Sequence, residues 1–128
     1  LKKRVPFIDR IMLEPHAVQE EQLTKLLRHA ELTYFGSKAN FSKIRNYEDF
    51  KKQVPVTNYD GFKPYIDQIL QGKQNVVWPS DTRWFAKSSG TTSDKSKFIP
   101  VTHESLDECH FQGGKDALLF YLLQQSSL

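Results

Sequence analysis

Phe85-Ala86-Lys87-Ser88-Ser89-Gly90-Thr91-Thr92-Ser93-Asp94-Lys95-Ser96-Lys97-Phe98-Ile99-Pro100 is the stretch from which the rest of the chain is best read. Trp84-Phe85-Ala86-Lys87 and Lys97-Phe98-Ile99-Pro100-Val101 are short apolar runs around a segment of hydroxyl residues and one glycine. That pattern predicts two strands and a loop, a short hairpin near 84–101. Gly90 tolerates positive φ, which lets successive backbone N–H groups turn toward one point. A concavity of amides holds an anion, and Ser or Thr hydroxyls add donors. Lys97 brings a formal positive charge to the same oxygens. By composition alone the segment also fits an ordinary hairpin turn.

Other phosphate loops do not fit. A Walker loop needs a glycine, four residues, then Gly-Lys-Ser/Thr opening directly into a helix. Here the fifth residue after Gly90 is Lys95, and a strand follows. Gly114-Lys115 is followed by Asp116 and has Cys109 where the first glycine belongs. No Gly-x-Gly-x-x-Gly occurs.

Outward from the loop the periodicity is helical. After Glu14-Pro15, the apolar positions Val18, Leu23, Leu26, Leu27, Ala30, Tyr34 and Phe35 recur in steps of three and four, predicting a helix over 15–35. Pro15 suits its first position, and Gly36 is expected as its left-handed stop. Asn46 reads as the N-cap of a helix over 46–51, with Asp49 placed to receive backbone donors; Pro55 ends it. Asn58 caps a stretch over 59–71 whose apolar face is Tyr59, Phe62, Ile66, Ile69 and Leu70, ending at Gly72. Pro64 sits too deep for an undisturbed first turn, so a kink or two short helices are expected. Thr102 caps a last helix over 103–123, with Leu106, Cys109, Gly113, Ala117, Phe120 and Tyr121 on or near one face. Gly113-Gly114 weakens it locally, either as a soft kink or where a backbone or ligand comes close, the kink being favoured. The fold class is therefore α+β: mostly helical, with a short β-hairpin carrying the loop.

Composition narrows the function classes. The 128 residues match one ordinary domain, and a globule of that size buries enough surface for a core without disulfides. The net charge of +3 is mild and its signs are interspersed, so no nucleic-acid partner is expected. The longest apolar run, Ala117 to Leu123, is far short of a membrane span, so no membrane partner is expected either. No charged segment followed by an apolar one opens the chain, so no secretory signal is expected. A lone Cys109 excludes an internal disulfide framework and points to a reducing, cytoplasmic setting. Collagen, coiled coils and disulfide scaffolds are excluded on the same grounds.

The order of residues in the loop adds a resemblance. Ser88-Ser89-Gly90-Thr91-Thr92, with Lys97 just before Phe98-Ile99-Pro100, resembles the phosphate-loop motif of the adenylate-forming superfamily. The flanks are similar to the auxin-responsive-promoter family of acyl-acid amido synthetases: Phe41 to Pro55 with Tyr47-Glu48-Asp49-Phe50, Val54-Pro55-Val56, Tyr59-Asp60-Gly61-Phe62-Lys63-Pro64-Tyr65-Ile66 and Leu70-Gln71-Gly72. The resemblance runs from about Pro15 onward.

It implies an ATP-dependent ligase, with Mg²⁺ accompanying the nucleotide. A carboxylic acid attacks the α-phosphate to give an acyl-adenylate and pyrophosphate, and an amino acid amine then displaces AMP to form an amide. By position, Ser88, Ser89, Gly90, Thr91 and Thr92 would surround the phosphates and Lys97 would be the motif lysine, with no catalytic residue assigned. Asp94 stands where the family has a second glycine; it either repels phosphate or points to solvent beside Lys95, and the latter is favoured.

Such enzymes are several times longer than this chain, which opens on Leu1-Lys2-Lys3-Arg4 without an initiator Met and stops inside Gln124-Gln125-Ser126-Ser127-Leu128. Residues 1–128 are expected to be the N-terminal portion of the large adenylation domain. The adenine pocket, most of the acyl pocket and the C-terminal domain would lie beyond Leu128, and the chain by itself would be inactive. The rival readings are an acyl-CoA-forming ligase of the same superfamily and a non-enzymatic helical binding or scaffold module.

Other residue groups carry less. His103, Asp107 and His110 with Glu104 and Cys109 suggest metal ligands, but no second paired motif supports them, and no metal site of the protein's own is expected. Cys109 reads as a small core residue. Trp78, Trp84 and Phe85 stack an adenine or aromatic acid, or pack strand onto helix; packing is the default. Lys2-Lys3-Arg4 reads as a solvated tip.

Overall fold

In the computed structural model, which describes residues 4–88 and 96–125, the chain is mostly helical with one two-stranded antiparallel sheet. In order come α1 (Val5–Leu13), α2 (Pro15–Ala30), α3 (Tyr34–Lys38), a 3₁₀ turn (Phe41–Lys43), α4 (Tyr47–Gln53), α5 (Tyr59–Leu70), β1 (Trp84–Lys87), β2 (Phe98–Val101), a π-helical segment (Ser105–Phe111) and α6 (Gln112–Gln125). The chain divides into two units. One draws on residues up to Gln19 and from His103 onward, and the other runs from Glu20 to Thr102.

In the Glu20–Thr102 unit, α2 buries Leu27 and Ala30 but leaves Leu26 exposed. The expected helix over 15–35 is two helices, and the reason is Thr33. Its Oγ1 donates to the Ala30 carbonyl at 2.7 Å and accepts from the Gly36 N–H at 3.0 Å, closing one helix and capping the next. Gly36 is therefore not the left-handed stop. It is buried inside α3, and a Cβ there would collide with the Ala30 carbonyl oxygen. Absence of a side chain lets α3 fold back against the end of α2.

The first N–H groups of α3 find partners outside the helix: Tyr34 N donates to Asn75 O at 3.0 Å and Phe35 N to Val76 O at 2.8 Å. Val76 and Thr33 are each 1% exposed, the most deeply buried side chains described. Around them Phe35 makes edge-to-face contacts with Phe41, Phe62 and Tyr65 at centroid distances of 5.1 to 5.7 Å.

The two asparagine caps form as expected. Asn46 accepts from Asp49 N at 3.0 Å while Asp49 Oδ2 accepts from Arg45 N at 3.1 Å. Asn58 accepts from Gly61 N at 3.0 Å. α5 buries Ile66 and Ile69, and Gly72 follows with φ of 86°, the left-handed end that glycine permits. The helix is not divided at Pro64: a single run of twelve residues contains it, forgoing one backbone bond to Asp60.

β1 and β2 pair antiparallel with Trp84 opposite Val101, Phe85 opposite Pro100, Ala86 opposite Ile99 and Lys87 opposite Phe98. Beyond them Ser88 N donates to Lys97 O at 3.0 Å, which makes Ser88 and Lys97 a hydrogen-bonded pair. Alternation along the ladder then turns the backbone groups of Phe98 and Pro100 away from β1. Pro100 is tolerated for that reason: its missing N–H costs no ladder bond.

In the other unit, α1 was not anticipated; Pro6 sits in its first turn and Ile8 is its buried residue. Arg4 is not a solvated tip. Its Nε and Nη2 reach both carboxylate oxygens of Asp116 at 3.0 and 2.8 Å, its guanidinium lies 4.2 Å from the Phe7 ring centroid, and Gln112 Nε2 donates to Asp116 Oδ1 at 2.7 Å. The Arg4 hydrogen bonds, helped by that from Gln112, hold the Asp116 carboxyl below the usual range.

The last helix starts at His103, but the π segment widens its turns and shifts the stripe. Leu119 is buried, while Phe120, Tyr121 and Cys109 are exposed, so Cys109 is not a core residue. A Cβ at Gly113 or Gly114 would meet nothing within 4 Å, so among the described residues no neighbouring backbone comes close there. No helix among the described residues is long and apolar enough to cross a membrane.

Candidate functional site

Of the six residues read as phosphate-binding, Ser88 and Lys97 are described; Ser89, Gly90, Thr91 and Thr92 lie outside the described residues, as do Asp94 and Lys95. Ser88 and Lys97 face each other at the loop end of the hairpin and are joined by two hydrogen bonds: Ser88 N to Lys97 O at 3.0 Å, and Lys97 N to Ser88 Oγ at 3.2 Å. A hydroxyl that accepts a bond keeps its own proton to donate. The two hydrogen bonds hold Ser88 beside Lys97, whose side chain is half-buried.

Tyr59 joins them, and the sequence had assigned it only to an apolar face. As the first residue of α5 it stands beside the cap Asn58, and its hydroxyl accepts from Phe98 N at 3.0 Å and donates to Phe98 O at 3.2 Å. Lys97 Nζ lies 5.8 Å from the Tyr59 ring centroid. A tyrosine among phenylalanines and isoleucines on one face was the available signal: a phenol on a buried stripe needs a partner.

The neighbouring lysine on α5 is engaged elsewhere. Lys63 Nζ reaches Asp67 at 2.6 to 2.7 Å, and that hydrogen bond raises its pKa. On the hairpin Trp84 is 51% exposed and Phe85 half-buried. Trp78 lies against His29 with ring centroids 4.8 Å apart, so it packs as the default reading had it, although its buried Nε1 finds no partner among the described residues.

The second candidate cluster stays dispersed. His103 Nδ1 and Asp107 Oδ2 are 3.0 Å apart at an exposed site, and His110 stacks edge-on to Phe111. Among the described residues no group of three or more His, Cys, Asp or Glu side chains is placed to hold a metal ion.

The family model for the GH3 family N-terminal domain matches residues 4–126. Among curated proteins the chain is 30% identical over 106 residues to indole-3-acetic acid-amido synthetase GH3.2 of Arabidopsis thaliana, covering 82% of this chain and 19% of that protein. It is 29% identical over 106 residues to indole-3-acetic acid-amido synthetase GH3.8 of Oryza sativa subsp. indica, covering 82% and 18%. It is 37% identical over 65 residues to 4-substituted benzoates-glutamate ligase GH3.12 of Arabidopsis thaliana, covering 50% and 11%. The chain thus spans about a fifth of the length of the relatives it matches along most of its own.

Proposed function

The chain belongs to the GH3 family, and on that premise we propose that it is the N-terminal portion of the large domain of an ATP-dependent acyl-acid amido synthetase. The protein joins a carboxylic acid to an amino acid amine. A carboxylate oxygen of the acid attacks the α-phosphorus, the bond to pyrophosphate breaks, and the amine then attacks the acyl carbon as AMP leaves and the amine gives up a proton. The relatives' names support amide formation: two are indole-3-acetic acid-amido synthetases and one a benzoate-glutamate ligase.

The observation that carries the site is the pair of hydrogen bonds between Ser88 and Lys97, the two described residues of the motif. Its residue types fit a triphosphate: hydroxyl and amide donors with the ammoniums of Lys95 and Lys97, against the single carboxylate of Asp94. Ser88, Ser89, Gly90, Thr91 and Thr92 would surround the phosphates, and Lys97 would offset the charge on them. Mg²⁺ would arrive with the nucleotide, lending it charge neutralisation. A cytoplasmic setting accords with the single cysteine.

The remainder of the polypeptide supplies the adenine pocket and covers α6. That helix leaves Leu118, Phe120, Tyr121, Leu122 and Leu123 exposed. An all-round apolar helix belongs in a core, and about four-fifths of a full-length relative is available to provide it.

Lys97→Ala in the full-length protein tests the site. Charge-assisted contacts of this kind are worth about 1.5–3 kcal/mol, so acid-dependent ATP–pyrophosphate exchange should slow at least tenfold, that is by ~1.4 kcal/mol or more. Unchanged exchange would remove Lys97 from the site.

A further inference from the structure

Tyr59 begins α5, yet its hydroxyl meets the backbone thirty-nine residues further on. It accepts from the Phe98 N–H at 3.0 Å and donates to the Phe98 carbonyl at 3.2 Å, so one phenol uses its proton and a lone pair on a single residue. Both groups of Phe98 face away from β1, where no ladder partner serves them.

The residue before Phe98 is Lys97. Its backbone is held from the hairpin side by Ser88, through Lys97 N to Ser88 Oγ and Ser88 N to Lys97 O. Its ammonium stands 5.8 Å from the Tyr59 ring centroid, within cation–π reach. One side chain therefore grips the backbone next to the lysine and faces the lysine's charge.

Tyr59 is itself fixed. Asn58 caps the helix it begins, and one turn on Phe62 lies against Phe35 and Tyr65, 5.6 and 5.3 Å between centroids. A long lysine with four rotatable side-chain bonds gains precision from such a support.

We infer that Tyr59 is a positioning residue for Lys97: it locks β2 at Phe98 and confines the ammonium to the side on which the nucleotide triphosphate is bound. This rests on the assignment of Lys97 to the nucleotide phosphates. Tyr59→Phe keeps the ring and removes both hydrogen bonds; Tyr59→Leu removes both hydrogen bonds and ring.

The experiment uses the full-length protein carrying Tyr59→Phe, Tyr59→Leu, Lys97→Ala and the Tyr59→Phe/Lys97→Ala pair. Hydrogen exchange by mass spectrometry over residues 96–101 and KM for MgATP and for the acid in pyrophosphate exchange are the readouts. Tyr59→Phe should speed exchange at Phe98 about tenfold. It should raise KM for MgATP about fivefold while the KM for the acid stays put, with Tyr59→Leu worse. In the Lys97→Ala background the same substitution should change KM for MgATP less than about twofold, because coupled residues are not additive.

Unaltered exchange at Phe98, or faster exchange with unaltered KM for MgATP, overturns the inference. Equal losses with and without Lys97 also overturn it, since they mark a general structural role. If Lys97→Ala leaves pyrophosphate exchange intact, the phosphate assignment itself fails. If Lys97→Ala is damaging and Tyr59→Phe is harmless, only the role of Tyr59 does.

Discussion

α5 and α6 are of similar length and carry similar numbers of apolar residues, but they use them differently. α5 sends Ile66 and Ile69 into its unit and turns Asp60 and Lys63 to solvent, leaving only Leu70 of its apolar face exposed. α6 buries Leu119 and leaves Leu118 64% and Tyr121 60% exposed. Burying an Ile or Leu side chain is worth about 1.5–3 kcal/mol, which α5 has collected twice and α6 only once. The contrast separates a helix stabilised by the residues around it from one whose apolar side chains stay mostly exposed among the described residues.

Truncating one residue on each helix is the strongest way to break that contrast. Ile66→Ala should cost about 2–5 kcal/mol in denaturant unfolding of the 128-residue chain, and Leu118→Ala no more than about 0.5. In the full-length protein the cost at Leu118 should rise into the same range as at Ile66. Equal small costs at Leu118 in both would mean that α6 is surface by design.

A second pair sharpens the comparison through glycine. Gly36→Ala forces a methyl group into the Ala30 carbonyl and should cost about 1–3 kcal/mol. Gly113→Ala meets open space in a helix and should stabilise by about 0.4–1 kcal/mol. Thermal midpoints moving the same way for both would contradict the packing at the α2–α3 corner.

The smallest effect expected is in the acid limb. Asp116 has a folded-state pKa below its ordinary value of 3.8, so its ion pair with Arg4 is fully present above that value. The contribution fades as pH falls through the lowered folded value. In Asp116→Asn the acid dependence between about pH 5 and 2 should be shallower than in the parent, measured by unfolding at a series of pH values. An identical acid limb would show that the pair is fully screened.

What the sequence made legible was local. Asn46, Asn58 and Gly72 announce helix ends through bonds or torsions confined to a few residues, and those ends lie where their chemistry requires. The hairpin followed from two apolar runs around a hydroxyl-rich segment. Illegible features depend on contacts between distant residues. The break that Thr33 makes is supported by Asn75 and Val76, which accept from the next two N–H groups, and no periodicity can reveal that. α1 has weak local signals beyond Pro6, and Arg4 finds Asp116 across 112 positions. The π segment altered the phase of the last helix, so Leu119 rather than Tyr121 went inward. At the candidate site, Ser88 and Lys97 were legible as residue types, whereas the partner of the Tyr59 phenol, the Phe98 backbone thirty-nine residues away, was not.

Pro100 in the second strand has a consequence for how this sheet can grow. Along the outer edge of β2 the Phe98 N–H is already given to Tyr59, and Pro100 has none to give. An incoming strand needs donors as well as acceptors, so β2 offers it no regular ladder. β1 turns the N–H groups of Phe85 and Lys87 outward on its own far side. Any third strand, whether from the same polypeptide or from a second copy, must therefore join beside β1. The sheet has a single direction of extension, away from the tyrosine that holds the lysine strand.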